Sequence, residues 1–201
     1  MKEYKLPIGC DVPETIILAD GDFPSHPLAL EWLRQCPYVV CCDGAANTYI
    51  RSGRMPEAIV GDGDSLLPDI KERYASLIHS EAEQETNDLS KAFRFCLSQE
   101  RKRITIMGAT GKREDHTIGN VSLLADYMEQ AEVSMMTDYG IFVPIREDSM
   151  FESYIGQQIS VFNMNSTALS AEGLAYPLSV FTNWWQGTLN EALARHFIIR
   201  T

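Results

Sequence analysis

Positive charge is scarce in this sequence: 17 lysines and arginines stand against 28 aspartates and glutamates, a formal net charge of −11. A nucleic-acid binder needs basic surface to neutralise phosphates, so that class is disfavoured. An anionic small-molecule substrate remains open, because a divalent cation can screen the carboxylates around it. No apolar run approaches the ~18 residues that a membrane span needs, and residues 1–12 hold no apolar stretch of the kind a secretory signal carries. The expectation is a soluble, cytoplasmic protein with neither membrane nor nucleic acid as partner. Cysteine is sparse: five residues, an odd number, with no Cys-x-x-Cys spacing. Cys10, Cys36, Cys41, Cys42 and Cys96 therefore read as buried thiols in a reducing compartment, not as a disulfide framework or a zinc site. Internal repeats, low-complexity tracts and the Walker A spacing are also missing.

What is present is an ordinary globular share of apolar residues, 45%, with 22% charged. Over the first two thirds, strand and helix signals alternate. Apolar runs at Thr15–Ala19, Tyr38–Cys42, Ala58–Val60, Leu77–His79, Arg103–Met107 and Val133–Met136 read as strands. Between them, helices are predicted at His26–Cys36, Ala45–Ser52 (with Asp43 placed to cap it), Leu67–Ala75, the segment after Asn87, and His116–Glu129. The last is expected to bury Ile118, Val121, Leu124, Ala125 and Met128. This alternation predicts an α/β domain over residues 1–137, a mostly parallel sheet with helices on both faces. From residue 138 to 201 the pattern changes to short strands at Ile141–Ile145, Gln158–Phe162, Leu178–Phe181 and His196–Arg200, separated by turns such as Asn163–Ser166 and Gly173. A β-sandwich of that size buries little surface alone and needs a partner surface.

Ligands of open α/β sheets bind beyond the carboxyl ends of the strands, and the aspartates follow that rule. Asp43 ends the second strand, Asp62 and Asp64 end the third, Asp88 opens the long helix, and Asp115 follows the loop after the fifth. Asp62 and Asp64, i and i+2 between glycines, are expected to point the same way and to hold Mg²⁺, which takes one or two carboxylates and leaves positions for phosphate oxygens. The Gly108-Ala109-Thr110-Gly111-Lys112-Arg113 loop, between strand and helix, can cradle phosphate on its backbone amides, with charge from Lys112 and Arg113. Lys91, one turn past Asp88, reads equally as its ion-pair partner or as a phosphate ligand. His116 reads as a general base or as a structural partner of Asp115. Tyr176, Trp184 and Trp185 read as core or as a platform for a flat ligand.

Taken in order, Ala19-Asp20-Gly21, Asp43-Gly44-Ala45-Ala46-Asn47, Gly61-Asp62-Gly63-Asp64-Ser65, Asn87-Asp88-Leu89-Ser90-Lys91 and Gly108–His116 resemble the blocks of thiamine pyrophosphokinases. Gly173–Leu178 and Thr188-Leu189-Asn190-Glu191 are similar to that family's C-terminal segments, with departures from its pattern at Gly63, Asn87 and Leu189. The resemblance implies an N-terminal α/β domain, a C-terminal β-sandwich that binds thiamine and dimerises, and a homodimer with sites at the interface. It implies diphosphate transfer from Mg-ATP to the thiamine hydroxyl. Catalysis falls to Asp43, Asp88 and Asp115, the metal to Asp62 and Asp64, and the nucleotide to Asn47, Lys91, Gly108, Thr110, Lys112, Arg113 and His116. Thiamine falls to Tyr176, Thr188 and Asn190. Two other readings stand beside it: a pterin-type pyrophosphokinase, separated by an acceptor screen, and a non-catalytic nucleotide or thiamine sensor, separated by AMP release.

Overall fold

Three strands of this chain are buried at every residue, which is what a sheet covered on both faces requires. The computed structural model describes residues 1–7, 11–81, 83 and 85–201. It divides into Gly9–Pro144 and a second unit of Met1–Ile8 with Ile145–Thr201. The opening strand β1 (Lys2–Tyr4) belongs to the second unit. Then follow β2 (Thr15–Leu18), α1 (Pro27–Gln35), β3 (Val39–Cys42), α2 (Ala45–Arg51), β4 (Ala58–Gly61), α3 (Pro68–Arg73) and β5 (Ile78–Ser80). The first unit closes with α4 (Asp88–Ser98), β6 (Arg103–Met107), α5 (Glu114–Tyr127), β7 (Glu132–Met136) and β8 (Ile141–Phe142).

The sheet order is β5-β4-β3-β2-β6-β7-β8, parallel throughout except for the last, antiparallel pair. The strand period of two sorts the core into two layers. Ile16, Leu18, Val39, Cys41 and Ile59 pack with Trp32, Tyr49 and Ile70 of α1, α2 and α3. Ile17, Val40, Cys42 and Val60 pack with Phe93, Leu124 and Tyr127 of α4 and α5. The chain builds outward from β2 to β5, then returns through α4 to β6 on the other side of β2. The switch point of the sheet therefore lies between β2 and β6, where the α/β rule places a ligand.

The second unit holds β9 (Ser149–Glu152), β10 (Gln158–Val161), β11 (Ser170–Glu172), β12 (Gly187–Glu191) and β13 (His196–Arg200). One sheet runs β1-β9-β13-β11 and the other pairs β10 with β12. Leu169, Leu178, Ala192, Phe197 and Ile199 form its small core, and Tyr4, Phe151 and Phe197 stack in sequence at 4.7 and 4.9 Å.

Several expectations shift. Leu178–Phe181 is not a strand, and the strand near Ile141 is two residues long and belongs to the large sheet. Helix α5 buries Asn120, Leu124 and Tyr127, leaving Ala125 exposed and Ile118 at 68% exposure, because two polar residues occupy its inner face. Asp43 does not cap α2; the N-cap is Gly44, with no side-chain bond. Cys41, Cys42 and Cys96 are buried free thiols and Cys36 is partly buried; Cys10 lies outside the described residues. Among the described residues no helix is long and apolar enough to cross a membrane.

Candidate active site

Strand β3 delivers Asp43 with φ of 29°, a left-handed conformation that aspartate tolerates better than most residues. Its side chain turns inward: the residue is 4% exposed, Oδ2 accepts the Ser65 amide at 2.9 Å, and Oδ1 is buried without a hydrogen-bond partner. Burial pushes this carboxyl above the usual range, the Ser65 amide pulls it back, and the charges of Asp88 and Asp62 raise it further. Gly61, at the end of β4, makes the approach of these groups feasible. A Cβ there would lie 2.8 Å from that of Asp43 and 3.3 Å from the Asp88 carboxylate.

Asp88 opens α4, whose N-cap Asn87 accepts the Ser90 amide through its side chain. Its Oδ1 receives the Lys91 ammonium at 3.2 Å, and Lys91 is itself only 2% exposed. Of the two roles open to Lys91, the fold shows the ion pair. Asp62 and Asp64 sit beyond β4 in a bend, not in an extended segment. Asp62 Oδ1 accepts the Asp64 amide at 3.0 Å, and Gly63 turns the chain with φ of 78°. The i, i+2 argument for parallel side chains therefore does not apply, although both residues remain on the loop that Asp43 holds through Ser65. Lys71 of α3 donates to the Gly63 carbonyl at 3.0 Å and pins the same loop. Asn47 spends both ends of its amide there, donating to the Ser65 carbonyl at 2.8 Å and accepting from the Leu67 amide at 3.0 Å.

On the other side of the switch point, the Ala19–Asp22 turn after β2 joins the loop after β6. The Gly21 amide donates to the Gly108 carbonyl at 2.6 Å and that of Asp22 to the Thr110 carbonyl at 2.9 Å. Lys112 is paired, with Nζ 3.1 Å from Asp20 Oδ1. A cleft of about 140 Å³ opens here, lined among others by Asp20, Asp22, Phe23, Thr48 and Lys112. Arg113 and Asp115 form an exposed pair, Nε to Oδ1 at 3.1 Å. That guanidinium holds the Asp115 carboxyl down at about 2. His116 follows in the first turn of α5 and is exposed.

In the second unit, Asn190 is 2% exposed and clamps the Tyr176 backbone: Oδ1 accepts the Tyr176 amide at 3.0 Å and Nδ2 donates to its carbonyl at 2.8 Å. The Tyr176 ring is thereby presented outward, 65% exposed. Thr188 is partly buried, its amide bonded to the Trp185 carbonyl. Trp184 and Trp185 are both exposed, Trp184 lying 5.3 Å from Phe162, so neither is core.

Sequence reasoning gave no role to Asp20, Asp22, Lys71 or Asn120. The strand-end rule that found the other aspartates applies equally to Asp20 and Asp22; Lys71 and Asn120 act on backbone carbonyls and leave no signal of that kind.

A family model described as thiamin pyrophosphokinase, catalytic domain, matches residues 29–136, and one described as thiamin pyrophosphokinase, substrate-binding domain, matches residues 140–201. Over 52% of its length the chain is 30% identical to thiamine pyrophosphokinase 1 of Oryza sativa subsp. japonica, covering 49% of that protein. Over 41% of its length it is 34% identical to the thiamine pyrophosphokinase of Bacillus subtilis (strain 168), covering 40% of that one. The chain thus spans about half the length, or somewhat less, of these relatives. In fold it is similar to thiamin pyrophosphokinase from Candida albicans, with a TM-score of 0.77 at 19% identity over 99% of this chain and 89% of the other. It is also similar to thiamine pyrophosphokinase from Bacillus subtilis, with a TM-score of 0.70 at 20% identity over 92% and 93% of the two chains. Both family models lie on the strands and loops that carry the aspartates and the Tyr176–Asn190 clamp, and the chain belongs to the thiamin pyrophosphokinase family.

Proposed function

We propose that this chain transfers the diphosphate group of ATP to the hydroxyl of thiamine, releasing AMP. The observation that carries the reading is the grouping of Asp43, Asp62 and Asp88 at the strand ends. One buried carboxylate oxygen of Asp43 lacks any protein partner there, in a chain of this family. A cation satisfies such an oxygen, and an all-carboxylate donor set suits Mg²⁺. Among the described residues no three acids, imidazoles or thiols form a ligand set by themselves. Mg²⁺ takes one or two carboxylates and completes its shell with phosphate and water. Asp62 and Asp64, with Asp43 beside them, would hold it. When bound, Mg²⁺ would neutralise charge on the phosphate oxygens.

The chain's own groups supply positioning and electrostatics, the main terms in phosphoryl transfer. The backbone of Gly108–Thr110 and the side chains of Lys112 and Arg113 bind phosphate oxygens. Lys112 then exchanges Asp20 for the ligand, and Arg113 exchanges Asp115. Lys91 neutralises Asp88 from within and does not reach the nucleotide. The thiamine oxygen attacks the β-phosphorus, its bond to the α–β bridging oxygen breaks, and AMP leaves with that oxygen. The hydroxyl proton passes to Asp43, to Asp88 or, once Arg113 has left it for phosphate, to Asp115. Asn47 acts by fixing the Ser65–Leu67 backbone, and Asn190 by fixing Tyr176. Tyr176 and Thr188 face the thiamine in this reading.

We further propose a homodimer in which the second unit of one copy completes the site of the other. Support comes from the second unit's exposed Ile155, Phe162, Met164, Trp184, Trp185 and Leu189 on a fold with a small core. The metal assignment is tested by Asp62→Asn with Asp64→Asn: the double variant should stay folded and lose at least about a hundredfold in activity at low Mg²⁺. Near-native activity under those conditions would remove both residues from the role.

A further inference from the structure

Asn120 occupies the inner face of α5 and is 8% exposed. Both ends of its amide are used: Oδ1 accepts from Asn87 Nδ2 at 3.1 Å, and Nδ2 donates to the Ala109 carbonyl at 2.8 Å. Asn87 in turn accepts the Ser90 amide at 2.9 Å through Oδ1. An unbroken line of hydrogen bonds therefore runs from the first turn of α4, across α5, to the backbone of the Gly108–Arg113 loop. Its polarity is fixed at both ends. The Ala109 carbonyl only accepts, so Asn120 must turn Nδ2 towards it and Oδ1 towards Asn87. The Ser90 amide only donates, so Asn87 must turn Oδ1 to it and Nδ2 to Asn120. Two amides fit this order, and neither can flip without breaking a bond at each end.

We propose that Asn120 is a positioning residue which, through Asn87, holds the Asp88 carboxylate in register with the loop that cradles phosphate. The proposal rests on the diphosphokinase reading of the site. Asp88 and the loop come from elements separated by a full strand, β6; the Ser90–Tyr127 hydroxyl bond at 2.8 Å also ties α4 to α5, but it reaches the far end of α5 and not the loop. Small displacements between a catalytic group and a bound reactant are costly: about 1 Å can cost roughly a hundredfold in rate. Asn120 touches no substrate in this account; it acts through Asp88 and the Ala109 backbone.

Two variants separate this role from a general contribution to folding. Asn87→Asp keeps a good helix cap but has no donor for Asn120. Asn120→Leu keeps the volume and removes both bonds. The readouts are kcat and KM with ATP and thiamine varied separately, Mg-ATP affinity by calorimetry, and thermal unfolding. Each variant should lose about ten- to a hundredfold in kcat/KM for ATP, with the thiamine KM within about twofold of wild type. The double variant should fall no further than the worse single one, because both cut the same line. If Asn120→Leu does not fold, Asn87→Asp carries the test. A folded variant with lowered thermal stability but unchanged ATP kinetics and Mg-ATP affinity would overturn the proposal. Should the wild type bind Mg-ATP yet not act on thiamine, the functional reading falls, and the proposal is decided by calorimetry alone. About tenfold weaker Mg-ATP binding in Asn87→Asp would support it, and unchanged binding would overturn it.

Discussion

Asp43 is held where a carboxylate does not want to be. It is buried, it lies beside the charges of Asp62 and Asp88, and one of its oxygens has no partner. Its carboxyl is therefore raised in the folded chain, so folding costs free energy at pH values above that raised point, and the cost fades as pH falls through it. Asp43→Asn removes the charge, keeps the shape and tolerates the left-handed backbone. In metal-free protein at neutral pH it should raise the melting temperature by a few degrees, the shift that about 1 kcal/mol produces in a chain of this size, while activity falls at least about a hundredfold. The gain should shrink towards acid pH. A variant less stable than wild type at pH 7, or equally active, would contradict this account of Asp43. The acids themselves were legible because strand ends are legible. Their posture was not: the cap expected of Asp43 goes to Gly44, and the bend at Gly63 replaces an extended pair, because loop geometry depends on Ser65, Asn47 and Lys71, which speak to backbone atoms.

At the scale of the element, the parallel strands and α1 to α4 lie within a residue or two of where apolar periodicity puts them, since buried strands read as short apolar runs and α4 carries a clean helical stripe. α5 is where the pattern misleads. Counting only apolar residues selects Ile118 and Ala125; the helix turns them outward and spends its inner face on Asn120 and on Tyr127, whose hydroxyl bonds with Ser90 and whose ring stacks on Phe93. Leu124→Ala should accordingly destabilise by about 2–5 kcal/mol, the cost of a buried cavity. Ile118→Ala should stay within about 0.5 kcal/mol. Denaturant midpoints of the two variants decide between the faces, and equal losses would favour the apolar count. The strands β9, β11 and β12 escaped notice for a related reason. Their burial is partial and their runs are three to five residues long, with Ser, Thr, Asn and Glu among them.

For the whole molecule, a break expected between residues 137 and 138 stands against units of Gly9–Pro144 and of Met1–Ile8 with Ile145–Thr201; Lys2–Tyr4 pairs with Ser149–Phe151, and three residues give periodicity nothing to act on. A shared site predicts complementation between two disabled chains. Asp64→Ala disables the nucleotide side, and Tyr176→Arg sets a positive charge against a cationic acceptor. Refolded together, half the dimers are mixed and about a quarter of all sites carry neither lesion, by two-fold symmetry. Activity near that fraction supports the dimer. No recovery, or light scattering that reports a 22.6 kDa monomer at micromolar concentration, would contradict it. The most direct measurement is of products: purified protein with ATP, Mg²⁺ and thiamine, the nucleotides and thiamine esters separated and counted. The account predicts one AMP and one thiamine diphosphate per turnover, with no ADP and no turnover when thiamine is left out. ADP as the product, or ATP consumption indifferent to thiamine, would contradict it.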